Sequence, residues 1–401
     1  MSRHSLISWT LILTFFLPFA SRAENLDDIA MKLLTGSLSY KSGNYALESE
    51  SLSLKTSSNL PDPEIGGEYL VAPADESNRW AAELSWGLEW PGVYGARGKE
   101  ADMKMTAARA TLNHERAQQL LEIKTLLIDY IQCRLKLDLL EELNRNNDTI
   151  YRLAENAAKG GELTVLDLNK VRLEYANIRG AKAALTDEEN EIIAQLSRLY
   201  GNDCSSIIES LDCEFPEIGF PSVEALEAVK SDSPAVRAAK AEAEVAKTAR
   251  KVAKMEALPS LSVGYKHAFE EGIHFNGAIL GVSIPIFSSK GKQKAAKADI
   301  FQADYKAEVA AQEVDTEVKQ TWKRLRQIDE QIKEIAPVMD NSDYNSTLLK
   351  AYQGGVITLI EYLTDRNYFT NAAIELVGLR HAAALALAKL QSFSPLEIPN
   401  P

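Results

Sequence analysis

The stretch from Arg79 to Gly98 alternates in a way that predicts a β-strand with two different faces. Every second position is apolar, whereas the positions between them are small or acidic. This period of two is typical of a strand with one apolar face. In a soluble sandwich that face packs on a second sheet, and in an outer-membrane barrel it faces lipid with aromatic side chains at the interfaces. The apolar positions are Trp80, Ala82, Leu84, Trp86, Leu88 and Trp90.

Long helical patterns fill most of the remaining chain. The segment 99–159 contains no Pro and no Gly, and its apolar residues recur at spacings of three and four. As a helix it would be about 90 Å long, at 1.5 Å per residue. The pattern breaks at Gly160 and Gly161, and a second helix is predicted for 164–200.

The same order of elements occurs twice, at a shift of about 194 residues. Such self-similarity indicates one structural unit built twice, that is, an internal duplication. The predicted repeats are 24–201, with a strand pair at about 63–90, and 222–393, with a strand pair at about 260–286 and long helices at 292–352 and 358–392. A linker at 202–221 and a tail at 394–401 complete the division. The matched positions include Pro91 with Pro285, Gly161 with Gly355, Thr164 with Thr358, Asp167 with Glu361 and Arg172 with Arg366.

Residues 1–23 have the pattern of a secretory signal peptide, with an apolar run and a small-x-small site at Ser21 to Ala23. The alternative is a membrane anchor, but Pro18 breaks a run already shorter than the ~20 residues of a spanning helix. No Cys follows the cleavage site, so a lipid anchor is not expected. Cleavage removes two arginines and takes the net charge from −13 to −15. Such an acidic chain is not expected to bind nucleic acid.

The remaining polar residues give weak signals. Cys204 and Cys213 lie in a loop-like stretch and either form a local disulfide, as export favours, or stay free thiols; Cys133 lies in a helical pattern and is expected to be buried. Four polar residues lie in or next to a predicted turn between strands at 268–274: His267, Glu270, Glu271 and His274. Because no Cys and no close ligand spacing supports a metal site there, an exposed polar loop is favoured. The chain carries none of the familiar nucleophile or phosphate-loop motifs. We therefore expect no catalytic site, no cofactor, no metal and no enzyme activity.

Each repeat offers two strands, and four strands cannot close a barrel. An open sheet edge is forbidden in lipid. Either the sheet packs within a soluble protein, or several chains share one barrel, and three chains would supply twelve strands. The long helices would then form a second, helical tube.

In these features the chain resembles the TolC family of outer-membrane efflux proteins, and it is similar to the type associated with cobalt–zinc–cadmium and copper–silver resistance. The resemblance rests on a Leu-Pro break before each first strand, strands ended by Trp90-Pro91 and Ile284-Pro285, the duplication, and a hairpin motif Gly-x-(Leu/Ile)-Thr-x-(Leu/Ile)-(Asp/Glu). It implies a mainly α fold with a small β part: a homotrimer with a 12-stranded β-barrel, four transmembrane strands per chain, continued by an α-barrel of antiparallel helical hairpins.

The resemblance also implies location and partners. The protein would lie in the outer membrane with a large periplasmic part, its strand residues Trp80, Leu84, Trp86, Leu88 and Trp90 facing lipid. Its partners would be a periplasmic membrane-fusion adaptor and an inner-membrane RND-type pump. The substrate stays open between heavy-metal cations and drugs. The alternative function is a soluble periplasmic coiled-coil adaptor or scaffold, which has no need for a lipid-facing strand.

The resemblance assigns roles to the two helix–turn–helix ends. Residues there form adaptor contacts, or alternatively only make a good turn. Acids six positions after each glycine form a charged ring at the pore entrance, or alternatively lie on a solvated helix face. A basic latch residue of some members is Ile357 here; Arg172 and Arg366 either replace it or pair with acids on neighbouring helices. The adaptor-contact positions are Gly161, Leu163, Thr164, Gly355, Ile357 and Thr358, and the pore-entrance acids are Asp167 and Glu361.

Overall fold

The computed structural model describes residues 24–73, 77–220, 222–287, 290–340 and 344–395. The predicted signal peptide and most of the predicted tail lie outside these residues. The elements in chain order are α1 (Leu26–Gly36), α2 (Leu38–Thr56), β1 (Glu64–Leu70), β2 (Arg79–Leu88), α3 (Pro91–Lys159), α4 (Val165–Tyr200), α5 (Ser205–Ile208), α6 (Val223–Asp232), α7 (Pro234–Met255), β3 (Ser260–Glu270), β4 (Ile273–Ser283), α8 (Lys292–Asp340), α9 (Tyr344–Gln353) and α10 (Leu359–Ser392).

Helix α3 is the longest element, with 69 residues. It begins at Pro91, eight residues before the predicted start at Lys99. Proline is favoured at the first helical position because its fixed φ suits the helix and its missing N–H has no intrahelical partner there. The glycines between Pro91 and Lys99 are therefore part of the helix.

The helices pack into an elongated bundle. Helix α3 contacts α4, α7 and α10, while α8 contacts α7 and α10. The segment predicted as one helix at 292–352 is described as α8 and α9, and α8 contains Pro337 in its interior. Among the described helices, none combines the length and the apolar character needed to cross a membrane.

The three largest apolar clusters among the described residues hold the bundle together. One joins α1 to α3 and α4 around Leu127 and Leu196. A second joins α7, α8 and α10 around Val236 and Leu325. A third lies where the α3–α4 and α9–α10 turns meet, around Tyr362. The third cluster lies at the turn end of the helices and is separate from the other two, so the helical ends have their own group of apolar contacts.

The disulfide considered for Cys204 and Cys213 is not formed in the structure, where both side chains are free thiols. The Cys204 sulfur lies 3.4 Å from the hydroxyl of Ser197, whereas Cys213 points to the carbonyl of Leu211 at 3.9 Å. The two thiols thus have different polar neighbours. Cys133 is buried, as its helical position suggested, and burial raises the pKa of its thiol to about 11.

The four strands form one antiparallel sheet in the order β1-β2-β3-β4. The turn between β3 and β4 is shorter than the predicted 268–274. Ala268 pairs with Phe275 and Glu270 with Ile273, so only Glu271 and Gly272 connect the strands. Both have positive φ, 52° and 82°, as in the tight turns that suit the twist of a hairpin.

Candidate functional site

The first helical hairpin turns at Gly160 and Gly161. Gly161 has a φ of 77°, a left-handed conformation that costs glycine little. The amide of Glu162 donates to the carbonyl of Ala157 over 2.9 Å, which satisfies one of the last carbonyl groups of α3. Leu163 then packs against the apolar cluster between the two turns. The first three positions of the hairpin motif therefore have a local structural explanation.

The second hairpin repeats this geometry. Gly355 has a φ of 72°, and the amide of Val356 donates to the carbonyl of Ala351 over 2.9 Å. Ile357 packs on the same cluster as Leu163. The two turns thus share backbone conformation and packing, as well as sequence.

A threonine caps the helix that follows each turn. The Thr164 hydroxyl accepts a hydrogen bond from the amide of Asp167 at 3.1 Å and donates one to its carboxylate at 2.7 Å. At the second turn, the Thr358 hydroxyl accepts from the amide of Glu361 at 3.3 Å, and the Glu361 carboxylate accepts from the amide of Thr358 at 2.8 Å. This reciprocal arrangement is a capping box, which satisfies two amide groups at the helix start.

The caps also stabilise the charged form of both acids. Hydrogen bonds from Thr164 and then Lys170 lower the pKa of Asp167. The backbone amide and then the hydroxyl of Thr358 lower the pKa of Glu361. The two roles predicted for these acids, a pore ring or a solvated helix face, did not include a contribution to the helix cap. Their role at a pore entrance stays a prediction.

The two basic residues near the turns pair with acids on neighbouring helices. Arg172 lies 3.5 Å from Glu155 of α3. Arg366 is only 2% exposed, its guanidinium lies 4.0 Å from Glu174 of α4, and it stacks over the Tyr362 ring at 5.7 Å. The contacts to Glu155 and Glu174 correspond to the second of the two roles considered for these arginines.

Three apolar side chains at the turns are exposed: Leu166 is a position of the hairpin motif, whereas Val165 and Val356 were not predicted as site residues. Val165 and Leu166 in the first turn of α4 are 73% and 75% exposed, and Val356 in the second turn is 78% exposed. The sequence signal for Val165 and Leu166 was their position, since they fall outside the register of the buried residues of α4, whereas Val356 lies in the turn between α9 and α10.

The sheet has an apolar face with no layer packed over most of it. The register places Leu84 between Ile65 and Tyr265, and all three side chains are exposed. Trp86 is half-buried, and its indole donates to the carbonyl of Pro61 at 2.7 Å. Large exposed side chains on this face are Ile65, Tyr69, Trp80, Leu84, Leu261, Val263, Tyr265, Leu280 and Val282.

The opposite face of the sheet is mostly small, polar and charged, and its large apolar side chains are Leu70, Ile273, Phe275 and Ile279. Glu83 lies between Gly66 and Lys266, and Ser85 lies between Glu64 and Gly264. Because successive side chains of a strand alternate, one four-stranded sheet carries an apolar and a hydrophilic surface. The two faces of the sheet correspond to the alternation of apolar and polar residues in the sequence of β2.

A charged cluster joins the sheet to the helices. Arg97 of α3 lies 2.6 Å from one carboxylate oxygen of Glu89 and 2.8 Å from the carboxylate of Glu256. Glu89 follows β2, and Glu256 follows α7 just before β3. The guanidinium therefore connects the strand–helix junctions of the two predicted repeats.

The polar residues of the β3–β4 hairpin separate into two groups. Glu270 and Glu271 lie 2.6 and 3.8 Å from Arg79. The imidazoles of His267 and His274 instead lie next to each other on β3 and β4, with ring nitrogens 3.3 Å apart. Within the described ranges, no group of three or more His, Cys, Asp or Glu side chains is arranged to hold a metal ion.

The fold and these surfaces define a chain of long helical hairpins joined to a small antiparallel sheet with one exposed apolar face. No protein-family model matches the chain. It is 27% identical over 253 residues to the cobalt-zinc-cadmium resistance protein CzcC of Cupriavidus metallidurans. The alignment covers 61% of this chain and 58% of CzcC, so the chain spans less than two thirds of that relative's length.

Solved structures share the fold over nearly the whole chain. A membrane protein from Pseudomonas aeruginosa superposes with a TM-score of 0.75 over 92% of both chains at 15% identity. The CmeC outer membrane channel of Campylobacter jejuni superposes with a TM-score of 0.70 over 92% of this chain and 85% of CmeC, also at 15% identity. The resemblance predicted from the sequence, to TolC-type outer-membrane efflux proteins of the heavy-metal-resistance kind, is confirmed. The expected mainly helical fold with a small antiparallel sheet is confirmed as well.

Proposed function

We propose that three copies of this chain form an outer-membrane channel that exports substrate delivered by an inner-membrane RND-type pump through a periplasmic membrane-fusion adaptor. The observation that carries the proposal is the two-faced sheet. Its exposed apolar face suits contact with lipid, and its hydrophilic face suits a water-filled lumen. Trp80, Leu84, Trp86 and Leu88 supply the lipid-facing positions of β2. The strand was predicted to extend to Trp90, but it ends at Leu88, and Trp90 is the N-cap residue of α3.

The sheet edges favour assembly with further copies. Strands β1 and β4 are the two edges, and the antiparallel order makes them run in opposite directions. If β4 of each copy pairs with β1 of the next, the ring closes with every pair antiparallel. Three copies give twelve strands, and closure removes the unpaired edges that lipid does not tolerate. A head-to-tail contact of this kind generates a cyclic oligomer.

The helical hairpins would continue this barrel into the periplasm as an α-barrel. Their matching turns support the proposed duplication into repeats 24–201 and 222–393, since Gly161 and Gly355 share a left-handed φ and Thr164 and Thr358 share a cap. The turns are the free ends of the bundle and therefore the proposed docking surface for the adaptor. Threefold symmetry would place Asp167 and Glu361 in rings that attract cations at the narrow end.

Heavy-metal cations are the proposed substrate class. CzcC is named for cobalt, zinc and cadmium resistance, and the acidic net charge of −13 suits a conduit for cations. That CmeC is a channel supports a function without catalysis.

The proposal is tested by the location and mass of the protein. Cells are fractionated, the protein is extracted with detergent, and its mass is measured by light scattering with correction for bound detergent. We expect a trimer that leaves the outer membrane only with detergent. A monomer or dimer released from the periplasm without detergent would refute the channel and would favour the periplasmic scaffold.

The pore-entrance acids need a variant that separates charge from capping. Glutamine at the third helical position retains a capping box, so Glu361→Gln removes the charge and keeps the cap. In reconstituted bilayers we expect reduced cation selectivity for Glu361→Gln and unchanged selectivity for Thr358→Ala, which keeps the acid. Equal cation selectivity of Glu361→Gln and the unmodified protein would exclude a selectivity ring formed by Glu361.

A further inference from the structure

The hairpin of β3 and β4 carries a pair of histidines whose ring nitrogens converge. The Nε2 atom of His267 and the Nδ1 atom of His274 are 3.3 Å apart, and the ring centroids are 5.3 Å apart. The nitrogens are thus 2 Å closer than the centroids, which means that the two rings meet edge to edge rather than face to face.

These distances fit two ligands of one tetrahedral ion. With metal–nitrogen distances of 2.0–2.1 Å, a tetrahedral angle separates two imidazole nitrogens by about 3.4 Å and their ring centroids by about 5.2 Å. We propose that His267 and His274 together form a binding site for a divalent first-row transition ion, with water in the remaining coordination positions. Imidazole is a preferred ligand of zinc, copper and nickel, whereas magnesium and calcium prefer oxygen.

The hydrogen bonds around His267 leave its Nε2 atom with Nδ1 of His274 as its polar neighbour, a contact that a bound ion would replace. The carbonyl oxygen of Asn276 lies 2.7 Å from Nδ1 of His267 and accepts a second hydrogen bond from the Tyr265 hydroxyl at 2.6 Å. Because a carbonyl oxygen only accepts, Nδ1 of His267 carries the proton and Nε2 carries the lone pair. A metal-ligating histidine usually donates its other N–H in this way, which fixes the ring.

Aromatic neighbours hold both rings in place before any ion binds. The Trp80 ring lies 5.3 Å from that of His267, and the Phe269 ring lies 4.9 Å from that of His274. Packing of this kind reduces the rotamer freedom that an ion would have to remove. The site lies on the apolar face near the β3–β4 turn and away from the helical ends. Ion binding at this site can therefore be measured without a transport assay.

The site is tested on the full chain, purified in detergent with an affinity tag that contains no histidine. Zinc binding is measured by calorimetry, and cobalt binding by the visible absorbance of tetrahedral Co²⁺. We expect one ion per chain, no competition by magnesium, and affinity reduced at least about tenfold in His267→Gln and in His274→Gln. We expect Asn276→Leu to weaken binding by about 10- to 100-fold, as for other residues that orient a ligand. His114→Gln, which removes a histidine of α3, is the matched control and should bind normally.

A measurement on the unmodified protein guards against misfolded variants. Diethyl pyrocarbonate modifies accessible histidines, and mass spectrometry locates the modified residues. Zinc should protect His267 and His274 and leave the modification of His114 unchanged. The proposal is overturned if the unmodified chain shows no saturable zinc binding, if the double variant His267→Gln/His274→Gln binds as well as the unmodified chain, or if protection is the same at all three histidines.

Discussion

The apolar face of the sheet gives a sharp test, because adjacent residues of β2 lie on opposite faces. Leu84 is in the middle of β2, 48% exposed, with Ile65 and Tyr265 as cross-strand neighbours. Ser85 is the next residue and faces the hydrophilic side beside Glu64. The pair Leu84→Arg and Ser85→Arg therefore adds the same side chain to the two faces at nearly the same depth.

The expected cost of Leu84→Arg depends on what covers the apolar face. An arginine that faces lipid near the bilayer midplane costs about 2–4 kcal/mol, and three copies would lose roughly 6–12 kcal/mol per trimer if the sites are additive. At an exposed position of a water-soluble protein the same change stays within about 0.5 kcal/mol. Ser85→Arg faces the proposed lumen and places its charge near a carboxylate, so we expect a change within about 1 kcal/mol.

The assay compares trimer stability in vesicles of one lipid composition. Unfolding in guanidinium is followed by the fraction of heat-modifiable trimer on gels, and Leu84→Ala measures the loss of the apolar side chain without a charge. We expect a large loss for Leu84→Arg and near-normal stability for Ser85→Arg. Equal stability of the two arginine variants would refute the assignment of the apolar face to lipid.

The hairpin ends give three further predictions, each checked by hydrogen exchange of the amides in the first turn of the following helix. Gly161→Ala forces a side chain into a φ of 77° and should weaken its end by about 1–2 kcal/mol, whereas Gly160→Ala, at ordinary helical φ, should not. Thr358→Ala removes the cap and should cost about 1 kcal/mol locally; unchanged exchange would contradict the capping role. The lowered pKa of Glu361 adds stability that is present above its ordinary value of 4.5 and is lost as the pH falls through the lowered value. Protection in α10 should therefore decline on acidification, and a decline of the same size in Glu361→Gln would assign it to other groups.

Much of the architecture follows from local sequence signals. The alternation from Trp80 to Trp90 predicted β2 because only a strand places every second side chain on one face. The double glycines predicted the helical turns because a left-handed residue ends a helix with little strain in glycine. These features need no knowledge of distant contacts.

Other features depend on contacts that the sequence does not display. Arg366 belongs to a residue type that is mostly solvated, yet it is buried, with Glu174 and the Tyr362 ring among its neighbours. His267 and His274 are seven positions apart and were considered as part of a loop, and it is the β3–β4 register that places their rings edge to edge. Such juxtapositions are set by tertiary pairing.

The hairpin motif can now be divided into positions that local structure explains and positions that it does not. At the first turn, Gly161 supplies the left-handed residue, Leu163 packs on the apolar cluster, and Thr164 and Asp167 cap α4. Leu166 has no such role, since it is 75% exposed.

An exposed apolar residue contributes little to the stability of its own hairpin. Val165 and Leu166 are adjacent at the free end of α4, and Val356 is similarly exposed at the second turn. Grouped apolar surface at the end of a bundle fits a surface that a partner covers. The proposed adaptor contact is therefore better assigned to these three side chains than to the glycines and threonines, whose identity the turn and cap already require.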